Sequence, residues 1–176
     1  AAPVLQTQLA SDPSVMVRTA SLRGLQTMKA GDMSALMQTA LADKDPVVRR
    51  AALALLPGLP ITPAAKATHL STILKAGSVA EQQGALEVMG TLKSVESRRL
   101  LASALDALDA GTLAPVLHID LVDAVQADGA PGLQRRLEAY QRKQQADALI
   151  KAFRAGAITG GDARKGQQVL MQNPLA

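Results

Sequence analysis

Two histidines, six methionines and a series of paired basic residues are the groups in this chain of 176 residues that could take part in chemistry. His118 stands in the run Val116-Leu117-His118-Ile119-Asp120, which reads as a mostly apolar helix. A metal site needs further His, Asp or Glu ligands on the same face, and two residues of helix put His118 and Asp120 on different faces. His69 is the other histidine, and no His-x-x-x-His or paired-carboxylate helix motif occurs. Both are read as ordinary helix histidines, and metal binding is not expected. Met28, Met33 and Met37 fall at helical spacing and are expected to fill gaps in a core. There is no cysteine, which removes disulfides, a thiol nucleophile, Cys-ligated zinc and covalently attached haem from this chain. Neither a Gly-x-Ser-x-Gly elbow nor a Gly-x-x-x-x-Gly-Lys loop is present, and no strand precedes the glycines near the C-terminus. No catalytic, cofactor-binding or metal-binding residue is therefore assigned.

The basic residues come in pairs: Arg49-Arg50, Arg98-Arg99, Arg135-Arg136, Arg142-Lys143 and Arg164-Lys165. The net charge is only +4, acidic residues are interspersed, and Tyr140 and Phe153 are the only aromatic residues. That is not the pattern of a nucleic-acid tail, and stacking partners for bases are lacking. If the pairs line one face, an acidic protein is the partner they would suit.

Elements that could position these groups follow from composition. Hydrophobic residues make up 48%, mostly Ala and Leu with some Val and Met. Ala, Leu and Met favour helix, whereas strands draw on β-branched and aromatic residues. An all-α protein is expected, long enough to bury a sizeable core. No run of about 18 apolar residues exists, so no membrane span is expected. No signal peptide is visible, and Ala1 in place of Met is expected of a processed or trimmed chain.

A repeat lies in the first half. Asp12-Pro13 and Asp45-Pro46 are 33 residues apart, and each precedes a Val-Arg pair, Val17-Arg18 and Val48-Arg49. Leucines follow each Arg at the same intervals, Leu22 and Leu25 then Leu53 and Leu56, which makes one apolar stripe along a helix. Asp can cap a helix start and Pro fits the first helical position, so each Asp-Pro is expected to open the second helix of a pair. The Val-Arg pairs are 31 residues apart, so the first copy carries two extra residues after its Asp-Pro. Val4, Leu5 and Leu9 mark a short helix before the first copy, and Met33, Leu36, Met37, Ala40 and Leu41 a helix before the second.

Later units are less regular. Leu70, Ile73 and Leu74 begin a third, with Ser78 as the cap of a helix carrying Leu86, Met89 and Leu92. Leu100, Leu101, Leu105 and Leu108, then Val116, Leu117, Leu121, Val122 and Val125, make a fourth. A fifth starts with Leu133, Leu137 and Tyr140 and runs toward Leu149, Ile150 and Phe153. Breakers separate them at Pro57-Gly58-Leu59-Pro60-Ile61-Thr62-Pro63, at Asp128-Gly129-Ala130-Pro131-Gly132 and at Gly156-Ala157-Ile158-Thr159-Gly160-Gly161.

The Asp-Pro-x-Val-x-Arg-like pattern resembles HEAT repeats over roughly residues 4–153, with the motif itself in the first two units: Asp12, Pro13 and Arg18, then Asp45, Pro46 and Arg49. The units are shorter than the usual HEAT repeat, as in phycobilin-lyase-type repeats. The resemblance implies a right-handed α-solenoid of about five helix pairs, an armadillo-like superhelix. It also implies ladders between units, in which Arg18 and Arg49 meet an Asp of a neighbouring unit, with Asp12 and Asp45 as the candidates.

The run Gly160-Gly161-Asp162-Ala163-Arg164-Lys165-Gly166-Gln167-Gln168-Val169-Leu170 resembles the opening helix of a class I c-type cytochrome domain, with Gly161, Asp162, Gly166, Val169 and Leu170 at the matching positions. In that family Cys-x-x-Cys-His follows closely and holds the haem; here it does not, so Gln167–Leu170 is expected to be an orphan helix or a tail. The resemblance implies a repeat domain at 1–155, a linker at 156–161 and the truncated start of a cytochrome domain at 162–176, with haem c in the parent protein beyond Ala176. Helical repeats before such a segment look like exported bacterial proteins that join a β-propeller dehydrogenase-like domain to a terminal haem domain. The expected function is thus a non-catalytic scaffold between those neighbours in a periplasmic or otherwise exported oxidoreductase. The alternative is a stand-alone HEAT-like solenoid that recognises an acidic protein; an enzyme acting alone, such as a lyase-like HEAT protein, has no supporting site.

Overall fold

The structure, a computed structural model, describes residues 1–158. Among the described residues there are nine α-helices, two short 3₁₀ turns and no strand. The helices are α1 (Ala2–Ser11), α2 (Val15–Met28), α3 (Met33–Leu41), α4 (Pro46–Leu55), α5 (Pro63–Ala76), α6 (Val79–Leu92), α7 (Val95–Asp109), α8 (His118–Asp128) and α9 (Pro131–Ile158). The described residues divide into two units at Leu137, the second being the part of α9 from Glu138 onward.

The starts of α2 to α7 have a local cause. Ser14, Asp32, Asp45 and Thr62 accept a backbone N–H of the first turn of α2, α3, α4 and α5, which satisfies amides that the helix itself leaves without partners. Reciprocal capping boxes open α6, through Ser78 and Glu81, and α7, through Ser94 and Ser97. Pro46, Pro63 and Pro131 occupy first positions, where no N–H is needed. At the other ends, α2 and α6 stop at Lys29 and Lys93 in the left-handed conformation (φ 48° and 51°), a place usually taken by Gly.

The two Asp-Pro sites differ. Asp45 caps α4 and Pro46 is its first residue, as expected. Asp12-Pro13 does not open α2: Ser14 caps it and Val15 begins it, while Asp12 Oδ1 accepts the Ser14 N–H at 2.8 Å. The two extra residues of the first copy are this displaced start. The fifth unit also differs, because α9 runs unbroken over 28 residues instead of forming a pair. The stretch from Leu133 to Arg154 holds neither Pro nor Gly, and its Gln, Arg, Lys, Ala and Leu all suit helix. Helix α9 extends through Gly156 to Ile158, into the expected linker.

Within the first unit α1 packs on α2, α3 on α4, α5 on α6 and α7 on α8. Second helices also meet in sequence, α2 with α4, α4 with α6 and α6 with α8. The leucine stripes face these contacts: Leu25, Leu56, Leu70, Leu86, Leu101 and Leu121 are fully buried, as are Met37 and Met89. Each such side chain contributes about 1.5–3 kcal/mol by leaving water. Contact is closest between α6 and α8, where a Cβ on Gly90 would lie 2.7 Å from the Ala124 carbonyl oxygen. Of the second unit, residues 138–152 of α9 are exposed apart from half-buried Tyr140.

Candidate functional site

The repeat places an arginine at the fourth residue of its helix, Arg18 in α2 and Arg49 in α4. From there each guanidinium does two things. One nitrogen reaches back to carbonyls that precede its own helix: Arg18 Nη1 donates to Asp12 O at 2.8 Å and Pro13 O at 3.3 Å, and Arg49 Nη1 to Asp43 O at 2.7 Å and Lys44 O at 3.1 Å. The remaining N–H groups meet a carboxylate of the next helix pair. Arg18 holds Asp43 with two hydrogen bonds, Nε to Oδ2 at 2.7 Å and Nη2 to Oδ1 at 2.9 Å. Arg49 Nε donates to Glu81 Oε1.

These partners are not the expected ones. Asp45 spends its carboxylate on the Val47 N–H, and Asp12 on the Ser14 N–H. Asp43 lies nearer the preceding pair and also accepts the Asp45 N–H at 2.8 Å, which fixes the turn. Glu81 is the third residue of α6, and its other oxygen accepts the Ser78 N–H at 2.8 Å and hydroxyl at 2.5 Å. The third unit has Gln82 in the arginine position, and its Nε2 donates to Leu74 O at 2.8 Å. Arg98, fourth in α7 and so on the first helix of its pair, donates from Nε to Asp128 at 2.9 and 3.2 Å, and Asp128 accepts the Ala130 N–H before α9. Arg136 meets Asp106 at 2.5 Å and Ala102 O at 3.3 Å.

Burial sharpens the first two rungs. The Arg18 and Asp43 side chains are 3% and 7% exposed, so neither charge has water as a substitute. Hydrogen bonding to Arg18 holds Asp43 below the usual carboxylate range, against the opposing effect of burial. Arg49, reinforced by Ser78, pushes Glu81 down to about 2. Both carboxylates are thus ionised acceptors near neutrality and unsuited to proton transfer there.

In each of three basic pairs one member is taken up in this way, Arg49, Arg98 and Arg136, while Arg50, Arg99 and Arg135 are exposed. The exposed members sit on α4, α7 and α9.

His118 is the first residue of α8, and its Nε2 lies 3.1 Å from Leu113 O. A carbonyl only accepts, so Nε2 carries the proton. Asp120 accepts from Gln83 Nε2 at 3.0 Å. His69 lines a cleft of about 720 Å³ that also includes Ser34, Gln38, Thr72, Arg49 and Glu81. Burial lowers the His69 pKa, favouring the neutral ring. Among the described residues no group of three or more His, Asp or Glu could hold a metal ion, and no helix is long and apolar enough to cross a membrane. Met33 and Met37 are buried, while Met28 is 47% exposed at the end of α2. Gly161, Asp162, Gly166, Val169 and Leu170 lie outside the described residues.

A second concavity, about 900 Å³, lies among α4, α6 and α8. Leu53, Val88 and Ala124 are buried beneath it, and the small residues Ala54, Gly84 and Ala127 also line it. Four charged side chains line it: Arg50, Glu87, Asp120 and Asp123. Sequence reasoning missed this groove, since it gathers residues from position 50 to position 127 through helix packing alone. The sequence matches no family model, and neither a curated protein nor a solved structure is significantly similar to it.

Proposed function

We propose that this chain is a helical-repeat scaffold, a HEAT-like right-handed α-solenoid that joins neighbouring domains and is not itself catalytic. The observation that carries the scaffold reading is the recurring arginine rung. At Arg18 and Arg49 it ties the start of one second helix to the next helix pair through a carboxylate, with the same use of turn carbonyls in both. Ordered contacts between successive second helices support the same reading, since repeat proteins are stabilised by nearest-neighbour interfaces. Among the described residues the most buried ionisable groups, Arg18, Asp43, Glu81 and Asp128, are all engaged in joining helices, which is structural use.

The neighbours in this proposal are a dehydrogenase-like domain and a haem c domain of an exported, periplasmic oxidoreductase. That part rests on the resemblance of the Gly160–Leu170 run to the opening of a class I cytochrome c domain. Reading the source gene for roughly 20 codons past Ala176 tests it. A Cys-x-x-Cys-His there is the expected result, and a longer chain that includes it would show a c-type haem spectrum. A stop codon or unrelated sequence would overturn the redox neighbour and leave the repeat scaffold standing.

A further inference from the structure

The groove among α4, α6 and α8 carries charge that the rungs do not use. Gly90 lets the backbone of α6 come against Ala124 of α8. That close crossing gathers Glu87 on α6 with Asp120 and Asp123 on α8 in the lining of the groove. None of these three carboxylates forms an ion pair within 4.0 Å among the described residues, and Glu87 and Asp123 are exposed. Asp120 has only the neutral Gln83 amide. On α4, Arg50 is the one cation among the described residues that lines the groove. The apolar lining that solvent reaches includes Ala54, Ala80 and Ala127, above the nearly solvent-free Leu53, Val88 and Ala124. Negative charge beside an apolar, small-residue base suits a segment that presents cations next to aliphatic side chains.

We infer that this groove docks a cationic amphipathic segment of a partner protein, with Lys or Arg meeting Glu87, Asp120 and Asp123 and an aliphatic face on the exposed Ala54, Ala80 and Ala127. The inference stands whether or not a haem domain follows this chain. Acidic partners, which the exposed arginines of the basic pairs would suit, meet the wrong sign here.

The test uses the full chain and two labelled amphipathic peptides of about four helical turns, one with Leu and Lys faces and one with Leu and Glu faces. Fluorescence anisotropy reads binding. The Lys peptide should bind saturably and weaken about tenfold between low and physiological salt. A double variant, Glu87→Gln with Asp123→Asn, alters exposed positions outside every rung and should weaken it about tenfold. Ala127→Trp, which fills the groove without touching a charge, should abolish it, with circular dichroism verifying the helices of both variants. Absence of binding by the Lys peptide, equal binding by the double variant, or equal or tighter binding of the Glu peptide would each overturn the proposal; the last would point to an acidic partner.

Discussion

At the scale of single residues, stability near the rungs depends on carboxylates that stay ionised. Glu81 titrates lower in the folded chain than unfolded, so the stability it lends is complete above the ordinary carboxyl range and is lost as pH falls toward about 2. Asp43 shifts in the same direction and adds to the same acid window. His69 works the same way, because its burial disfavours the charged ring that acid imposes. Urea midpoints measured across the acid range should therefore fall steadily, and Glu81→Gln should flatten that slope while lowering the midpoint at neutral pH. A midpoint that is independent of pH in the parent chain would contradict the rung. Asp43→Ala strands the buried Arg18 charge and should lower the midpoint more than Asp45→Ala, which removes a cap. Arg18→Met combined with Asp43→Leu should recover most of that loss, since an apolar pair of similar size needs no desolvation. The arginines were legible in the sequence as a part of the motif shared by the first two units. Their acceptors were not, because Asp43 precedes its helix and Glu81 lies inside its own. The two occupy one spatial role from different places in the chain.

At the scale of elements, caps and crossings make separate demands. Asp32 accepts the Ser34 and Ala35 N–H groups at the start of α3, and Asp32→Ala should cost about 1 kcal/mol by chemical denaturation. Lys93 holds a left-handed conformation that strains any residue with a Cβ. Lys93→Gly should therefore raise stability by about 0.5–1 kcal/mol, and a loss would show that the lysine side chain compensates for the strain. Gly90→Ala is the opposite case. The added methyl meets the Ala124 backbone, α6 and α8 must separate, and the change should cost about 2 kcal/mol. Leucine spacing made most of these elements readable in advance, including short α1 and the Ser78 cap of α6. The continuous α9 was not, since the apolar residues at both ends of the run suggest a pair although no breaker divides Leu133 from Arg154.

At the scale of the whole molecule, burial is uneven. Leu86, Met89, Leu121 and Val125 on α6 and α8 are fully buried, whereas residues 141–150 of α9 are all exposed. Hydrogen–deuterium exchange should find the amides of residues 141–150 exchanging orders of magnitude faster than those of α6 and α8, because opening an exposed helix breaks few apolar contacts. Similar protection in both regions would mean that α9 gains cover from a second surface. The all-helical class followed from Ala and Leu with almost no aromatic residues. The groove did not, because its charges come from three helices whose separation depends on Gly84 and Gly90 rather than on any periodic signal.

The rung also bears on how such a chain can change length over evolutionary time. The stretch spanning α3 and α4 carries an acceptor for the arginine before it, Asp43, and a donor for the carboxylate after it, Arg49. A tandem copy of that stretch would bring one acid and one base, each facing the complement left by its neighbour. Duplication therefore adds a rung without orphaning a charge, so the architecture can be extended by copying and need not be redesigned at each step.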